Sequence, residues 1–150
     1  MILHRLGHKR RAATVVECAF VAPITFLLIL GLIIGGLGIF RYQEVASLAR
    51  EGARWSAVHG RDYMEENGQP LTTPQNVYDN AIRPKAVSLD PTMLTYSVAW
   101  DDAGQRPTYL NAANAPKKNN VRVTVTYRWI PEAYLGGITL SSTSVMPLSY

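Results

Sequence analysis

Cysteine is nearly missing from this chain of 150 residues. Cys18 stands alone, which excludes an internal disulfide and any multi-cysteine metal site. A lipidation motif would place a small residue directly before that cysteine, and Glu17 is there instead. Histidine is almost as scarce: His4 and His8 precede a long apolar run and His59 follows it, so the three cannot converge on one metal. No glycine-rich phosphate loop, nucleophile elbow or clustered acid/base pair is present. Asp101-Asp102 comes nearest, but neighbouring residues in a turn point different ways, so the pair reads as a solvated turn. These absences point away from an enzyme and imply no metal and no cofactor.

Charge is missing over one long stretch. From Cys18 to Phe40 the sequence CAFVAPITFLLILGLIIGGLGIF carries none, and at 1.5 Å per residue it makes a helix of roughly 34 Å, enough to cross a bilayer core with slight tilt. A cleaved secretory signal has a shorter apolar region of about 7 to 15 residues and a small-x-small site after it. Here the run leads into Ile39-Phe40-Arg41-Tyr42. Within the span, Pro23 removes one backbone donor, and Gly31, Gly35, Gly36 and Gly38 leave one face with little bulk. The Gly31/Gly35 spacing permits close helix approach, although glycine is also simply common in membrane helices.

What charge there is has a telling location. The formal net charge is +4, and Arg5, Lys9, Arg10 and Arg11 supply all of it, because eleven basic residues face eleven acidic ones beyond Ala12. A nucleic-acid partner therefore loses its main support. After the span, Arg41, Arg50 and Arg54 are interleaved with Glu44 and Glu51. The positive-inside bias thus places the N-terminus in the cytoplasm and the bulk of the chain outside.

Glu17 is the one ionisable group in an apolar stretch that begins at Ala12. At membrane depth such a group costs on the order of 3 kcal/mol. Either it snorkels to the cytoplasmic interface beside Arg10 and Arg11, or it finds a partner. The arrangement Lys9-Arg10-Arg11-Ala12-Ala13-Thr14-Val15-Val16-Glu17 resembles the class III signal of type IV pilins. In that family a membrane aspartyl prepilin peptidase cuts after a small residue, leaving the glutamate fifth in the mature chain. Carried over, the cut falls between Ala12 and Ala13 and Glu17 takes the fifth position. Ala12 stands where most pilins have glycine. The resemblance further implies that Glu17 of one subunit neutralises the new α-amino group on Ala13 of a neighbour, a group that is cationic near neutral pH.

Over about the first 60 residues the chain is similar to the TadE-like family, minor pseudopilins of tight-adherence (Tad/Flp) type IV pili. The features are the arginine-rich start, the A-x-x-E-apolar signal, the early proline, and Ala46-Ser47-Leu48-Ala49-Arg50-Glu51-Gly52-Ala53-Arg54 after the span. This resemblance implies a prepilin peptidase, other pilin or pseudopilin subunits and the Tad secretion machinery as partners. It also implies a bacterial inner membrane location, with possible entry into an extracellular adhesion filament. An unprocessed, single-pass accessory or scaffold protein of a secretion system is the alternative.

Val45, Leu48, Ala49, Gly52, Ala53 and Ser56 recur at helical spacing, so the helix is expected to run on to about His59 with one small-residue face. Arg50, Glu51 and Arg54 fall to the flank and read as a solvated surface. Gly60 to Gln69 is turn-like. Thr73-Pro74 caps a short helix through Val77, Ala81 and Ile82 that Pro84 should stop. Met93 to Trp100 alternates loosely and Val121 to Trp129 strictly; a third strand is expected over Ile138 to Pro147. Asp101 to Asn120 reads as a long connection. The expectation is an α+β fold: a basic leader over 1–12, a helix over 13–59 with its span at 18–40, and an extracytoplasmic domain over 60–150 with a sheet of about three strands.

Overall fold

The computed structural model describes residues 7–101, 105–110, 113–131 and 136–149, with side chains from Thr14 onward except at 109–110. The helices are α1 (Gly7–Val58), α2 (Arg61–Glu66) and α3 (Pro74–Val77); the strands are β1 (Leu94–Trp100), β2 (Thr108–Leu110), β3 (Pro116–Lys118), β4 (Asn120–Trp129) and β5 (Ile138–Pro147). The architecture is α+β, a long apolar N-terminal helix followed by a small domain with a three-stranded antiparallel sheet. The chain divides into two compact units, Met1–Leu37 and Gly38–Tyr150.

In the first unit the helix presents apolar side chains on every side. Phe20 is 72 % exposed and Leu32 77 %, and the most apolar stretch of the helix has no buried residue. Exposure of this kind all round a helix suits lipid as solvent rather than water. α1 runs through Pro23, and the Thr25 hydroxyl donates to the Val21 carbonyl oxygen at 3.0 Å. That back-bond hides the one hydroxyl of the span from hydrocarbon.

In the second unit the strictly alternating strand is central. The sheet order is β1-β4-β5, with Val98 opposite Val123 in one ladder and Val123 opposite Ser144 in the other. Val121, Val123, Val125, Tyr127 and Trp129 are all buried. Against them lie Val45, Leu48, Ala49 and Ala53 of α1, Val77 of α3, and Ala81 and Ile82 after it, also buried. The expected small-residue face is thus the face that meets the sheet. A Cβ on Gly52 would stand 3.0 Å from Val123 Cγ1 and 3.4 Å from Ile82 Cδ1, so glycine sets the spacing between helix and sheet. Ser56 is fully buried there and donates its hydroxyl to the Gly52 carbonyl at 2.8 Å, which pairs that hydroxyl within the contact.

Three local expectations need correction. The turn-like stretch after His59 contains α2, a single polar helix whose Met64 is buried. It ends in a Schellman motif, with Gly68 N–H returning to Glu65 O, Gln69 N–H to Met64 O, and Gly68 at φ +62°. Four charged residues around Tyr63 and Met64 offered no periodicity to read. The capping box of Thr73 and Asn76 forms as expected, but Pro84 does not stop the helix. The backbone widens into a π-turn over Tyr78–Ile82 and then tightens into a 3-10 turn over Arg83–Lys85. With Arg83 N–H reaching back to Tyr78 O, the missing proline donor falls outside a regular α ladder. The long connection after β1 holds the two-stranded ladder of β2 and β3, too short and too polar to show alternation. Asn119, fully buried, ties it down through Arg106 O at 2.9 Å and Pro107 O at 2.9 Å. Asp101 accepts from Asn120 Nδ2 at 2.9 Å, while Asp102 lies outside the described residues.

Gly52→Val should lower the unfolding free energy of the detergent-solubilised chain by about 1–3 kcal/mol, since the added methyls overpack Val123 and Ile82. A urea midpoint equal to that of the parent would mean that the sheet is free to retreat. Thr73→Ala should cost about 1 kcal/mol by the same measurement, through loss of the cap.

Candidate assembly helix

At the cytoplasmic edge anticipated from the sequence, Ala12 and Ala13 lie within the helical backbone of α1. Their side chains are outside the described residues. Glu17 is exposed, and among the described residues no hydrogen bond or ion pair engages it. Its neighbour Cys18 is a free, exposed thiol.

The four glycines of the span separate into two kinds. Around Gly31, Gly35 and Gly36 a Cβ would meet no atom within 4 Å, so this surface stands open within its unit. Gly38 belongs to the second unit. A Cβ there would come within 2.8 Å of the Trp129 ring, and Trp129 is only 5 % exposed. Its missing side chain is therefore accounted for within the chain, by the indole at the end of β4.

Beyond Gly38 the polar residues of α1 grip the domain. Arg41 Nη1 donates to Ser88 Oγ at 2.8 Å and also to the Ser88 carbonyl oxygen. Glu44 accepts from Ser88 N–H at 3.3 Å and from the Ser88 hydroxyl. Arg41 and Glu44 are 3.7 Å apart. Read as orientation signals in the sequence, these two residues also clamp the loop before β1. In the Ala46–Arg54 stretch, Ala49, Gly52 and Ala53 are buried while Arg50 and Arg54 face solvent. Glu51 pairs with Lys85 at 2.8 Å. The hydrogen bond from Lys85 holds the Glu51 carboxyl below the usual carboxylate range; slight desolvation opposes this, and the charges of Lys85 and Arg54 reinforce it. Lys85 and Ser88 were not legible as partners, since they sit more than thirty residues away in an irregular segment.

The family model described as TadE-like protein matches residues 12–54. This segment is TadE-like. The match runs from the Ala12-Ala13 step through Glu17, the open glycines and the clamp to Arg54. Neither curated proteins nor solved structures yielded a match to the chain. Among the described residues no group of three or more His, Cys, Asp or Glu side chains is placed to hold a metal.

Because the folded Glu51 carboxyl ionises more readily than an unfolded one, its contribution is full above the ordinary carboxylate pKa. That contribution is lost as pH falls through the lower folded value. Both partners are partly exposed, 54 % for Lys85 and 34 % for Glu51, so solvent screening limits the pair to about 0.5 kcal/mol. Lys85→Ala should be less stable than the parent by that amount at pH 7, and the gap should close at pH 3. A gap of the same size at both values would rule out the ion pair as its source.

Proposed function

We propose that the chain is a minor pseudopilin that takes part in assembly of a Tad-type pilus or secretion filament and is not an enzyme. In this reading it enters the bacterial inner membrane in a single pass, N-terminus in the cytoplasm and domain outside. A prepilin peptidase then hydrolyses the Ala12-Ala13 amide, leaving a carboxylate on Ala12 and an α-amino group on Ala13. The observation that carries the reading is a TadE-like helix whose apolar side chains are exposed all round, with Glu17 as its one charged residue between Arg11 and Arg41.

Each part of that helix then has a task. Hydrolysis removes Arg5, Lys9, Arg10 and Arg11, the charges that hold the helix at the inner leaflet. The Glu17 carboxylate, costly alone in lipid by about 3 kcal/mol, pairs with the Ala13 amine of a neighbouring subunit and sets the register of docking. The open surface at Gly31 and Gly35 lets a second helix approach closely, where packing rather than hydrophobicity drives association. Other pilin or pseudopilin subunits and the Tad secretion machinery are the partners.

Intact mass and N-terminal sequencing of the protein from native membranes should find a chain beginning at Ala13. A chain still beginning at Met1 would instead favour an unprocessed membrane-anchored accessory or scaffold protein. Glu17→Gln should insert normally and lower filament yield by about tenfold, as loss of ~1.4 kcal/mol per docking step predicts. Normal yield from that variant would leave Glu17 as an interfacial residue only.

A further inference from the structure

Away from the assembly helix, the second unit carries an open cleft of about 270 Å³ where the end of α1 meets α2 and α3. Three rings line it. Trp55 and His59 stack with centroids 4.0 Å apart and planes 8° off parallel, and Tyr63 meets His59 edge-on at 4.7 Å. All three are half-buried, so ring surface remains open to solvent.

Met64, Pro70 and three amides complete the wall. Gln69, Asn76 and Asn80 line the cleft, and the two asparagines are oriented by the backbone around α3. Asn76 Oδ1 accepts from Thr73 N–H at 2.9 Å and from the Thr73 hydroxyl at 2.6 Å, which leaves its NH₂ group to donate. Asn80 Nδ2 donates to Asn76 O at 2.8 Å, which leaves its Oδ1 to accept. His59 Nδ1 lies 2.9 Å from Trp55 O; a carbonyl can only accept, so Nδ1 is the donor there. Among the described residues, Trp55 Nε1, the Tyr63 hydroxyl and the Gln69 amide have no protein partner. The capping box that starts α3 thus presets one donor in the cleft and the Asn80–Asn76 bond one acceptor, an arrangement that reduces the ordering cost of binding.

The chemistry narrows the ligand. No Lys, Arg, Asp or Glu lines the cleft, so neither an anion nor a cation finds a counter-charge there. The polar groups disfavour a purely apolar guest, which would strip them of water without replacing their hydrogen bonds. Aromatic faces with neutral donors and acceptors match a molecule that is apolar on one face and hydroxylated at its rim. We propose that this cleft binds a neutral pyranoside of a glycan, one sugar unit lying on the rings with its hydroxyls on Gln69, Asn76 and Asn80. The volume falls at the small end of ligand sites, which run from about 300 Å³ upward, and so suits a single unit. The proposal is independent of processing and filament entry, because it concerns the domain alone.

The test uses the full chain in a detergent without a sugar headgroup, probed with the methyl glycosides of glucose, galactose, mannose and N-acetylglucosamine. Saturation-transfer NMR should show transfer to the ring C–H protons of at least one of them. Tyr63→Ala and Gln69→Ala should each weaken that binding by about tenfold, the equivalent of ~1.4 kcal/mol, with circular dichroism unchanged. Gln69 lies in the turn after α2 and is exposed, so its substitution leaves the core alone even if Tyr63→Ala disturbs packing. No transfer to any of the four glycosides would overturn the proposal. So would transfer that Gln69→Ala leaves unchanged, or equal transfer to adenosine, which would mark the cleft as a general stacking surface.

Discussion

The domain depends on how closely β4 can approach α1. An α-helix with ordinary side chains holds a sheet at about 10 Å, and the valine row of β4 fills its half of that space. Gly52, flanked by Ala49 and Ala53, removes bulk where Val123 and Ile82 arrive together. With that spacing set, Trp129 at one end of β4 comes down on Gly38. At the other end the loop around Asn119 is drawn in, its carbonyl accepting from Leu148 N–H at 2.9 Å. The stretch Ala46–Arg54, conspicuous in the sequence for its small residues and charges, thus has two assignments on one helix. Its small residues build the core, and its charges stay in water or hold the segment that follows α3.

The N-terminal half of the same helix is long and apolar enough to cross a membrane. Its side chains are as apolar as those of the core yet lie exposed within their unit, and the Thr25 hydroxyl is paired locally along the backbone. In such a surface a single carboxylate outweighs many leucines as a source of specificity, because its cost in hydrocarbon is relieved only by a partner of opposite charge or by water. The proposed function follows from that asymmetry. An anchor needs only length, whereas Glu17 is a feature that an inert anchor would not require.

Much of the fold was legible because it rests on periodicity. The strict alternation from Val121 to Trp129 identified the central strand and its buried face, and β5 occupies the anticipated Ile138–Pro147. Thr73-Pro74 was read as a cap from composition alone and is one. The misses share a cause. α2, β2 and β3 are each six residues or fewer, and they are held by single ties, the tertiary bonds of Asn119 and the local Gly68 turn, rather than by a repeating pattern. The passage through Pro84 was missed because a proline rule assumes α bonding, and the π-turn before it changes the register.

By itself, the sequence determined the apolar helix, the location of the net charge, the lone glutamate and the TadE-like signature, since these are properties of composition and spacing that need no packing partner. Tertiary structure alone decided which glycines are used inside the chain and which stand open. It also decided that Arg41 and Glu44 close on Ser88, that Glu51 faces Lys85, and that Trp55, His59 and Tyr63 gather beside three amides. Those pairings join residues from separate elements, and the chain can bring them together only after the helix and sheet have set the distance between them.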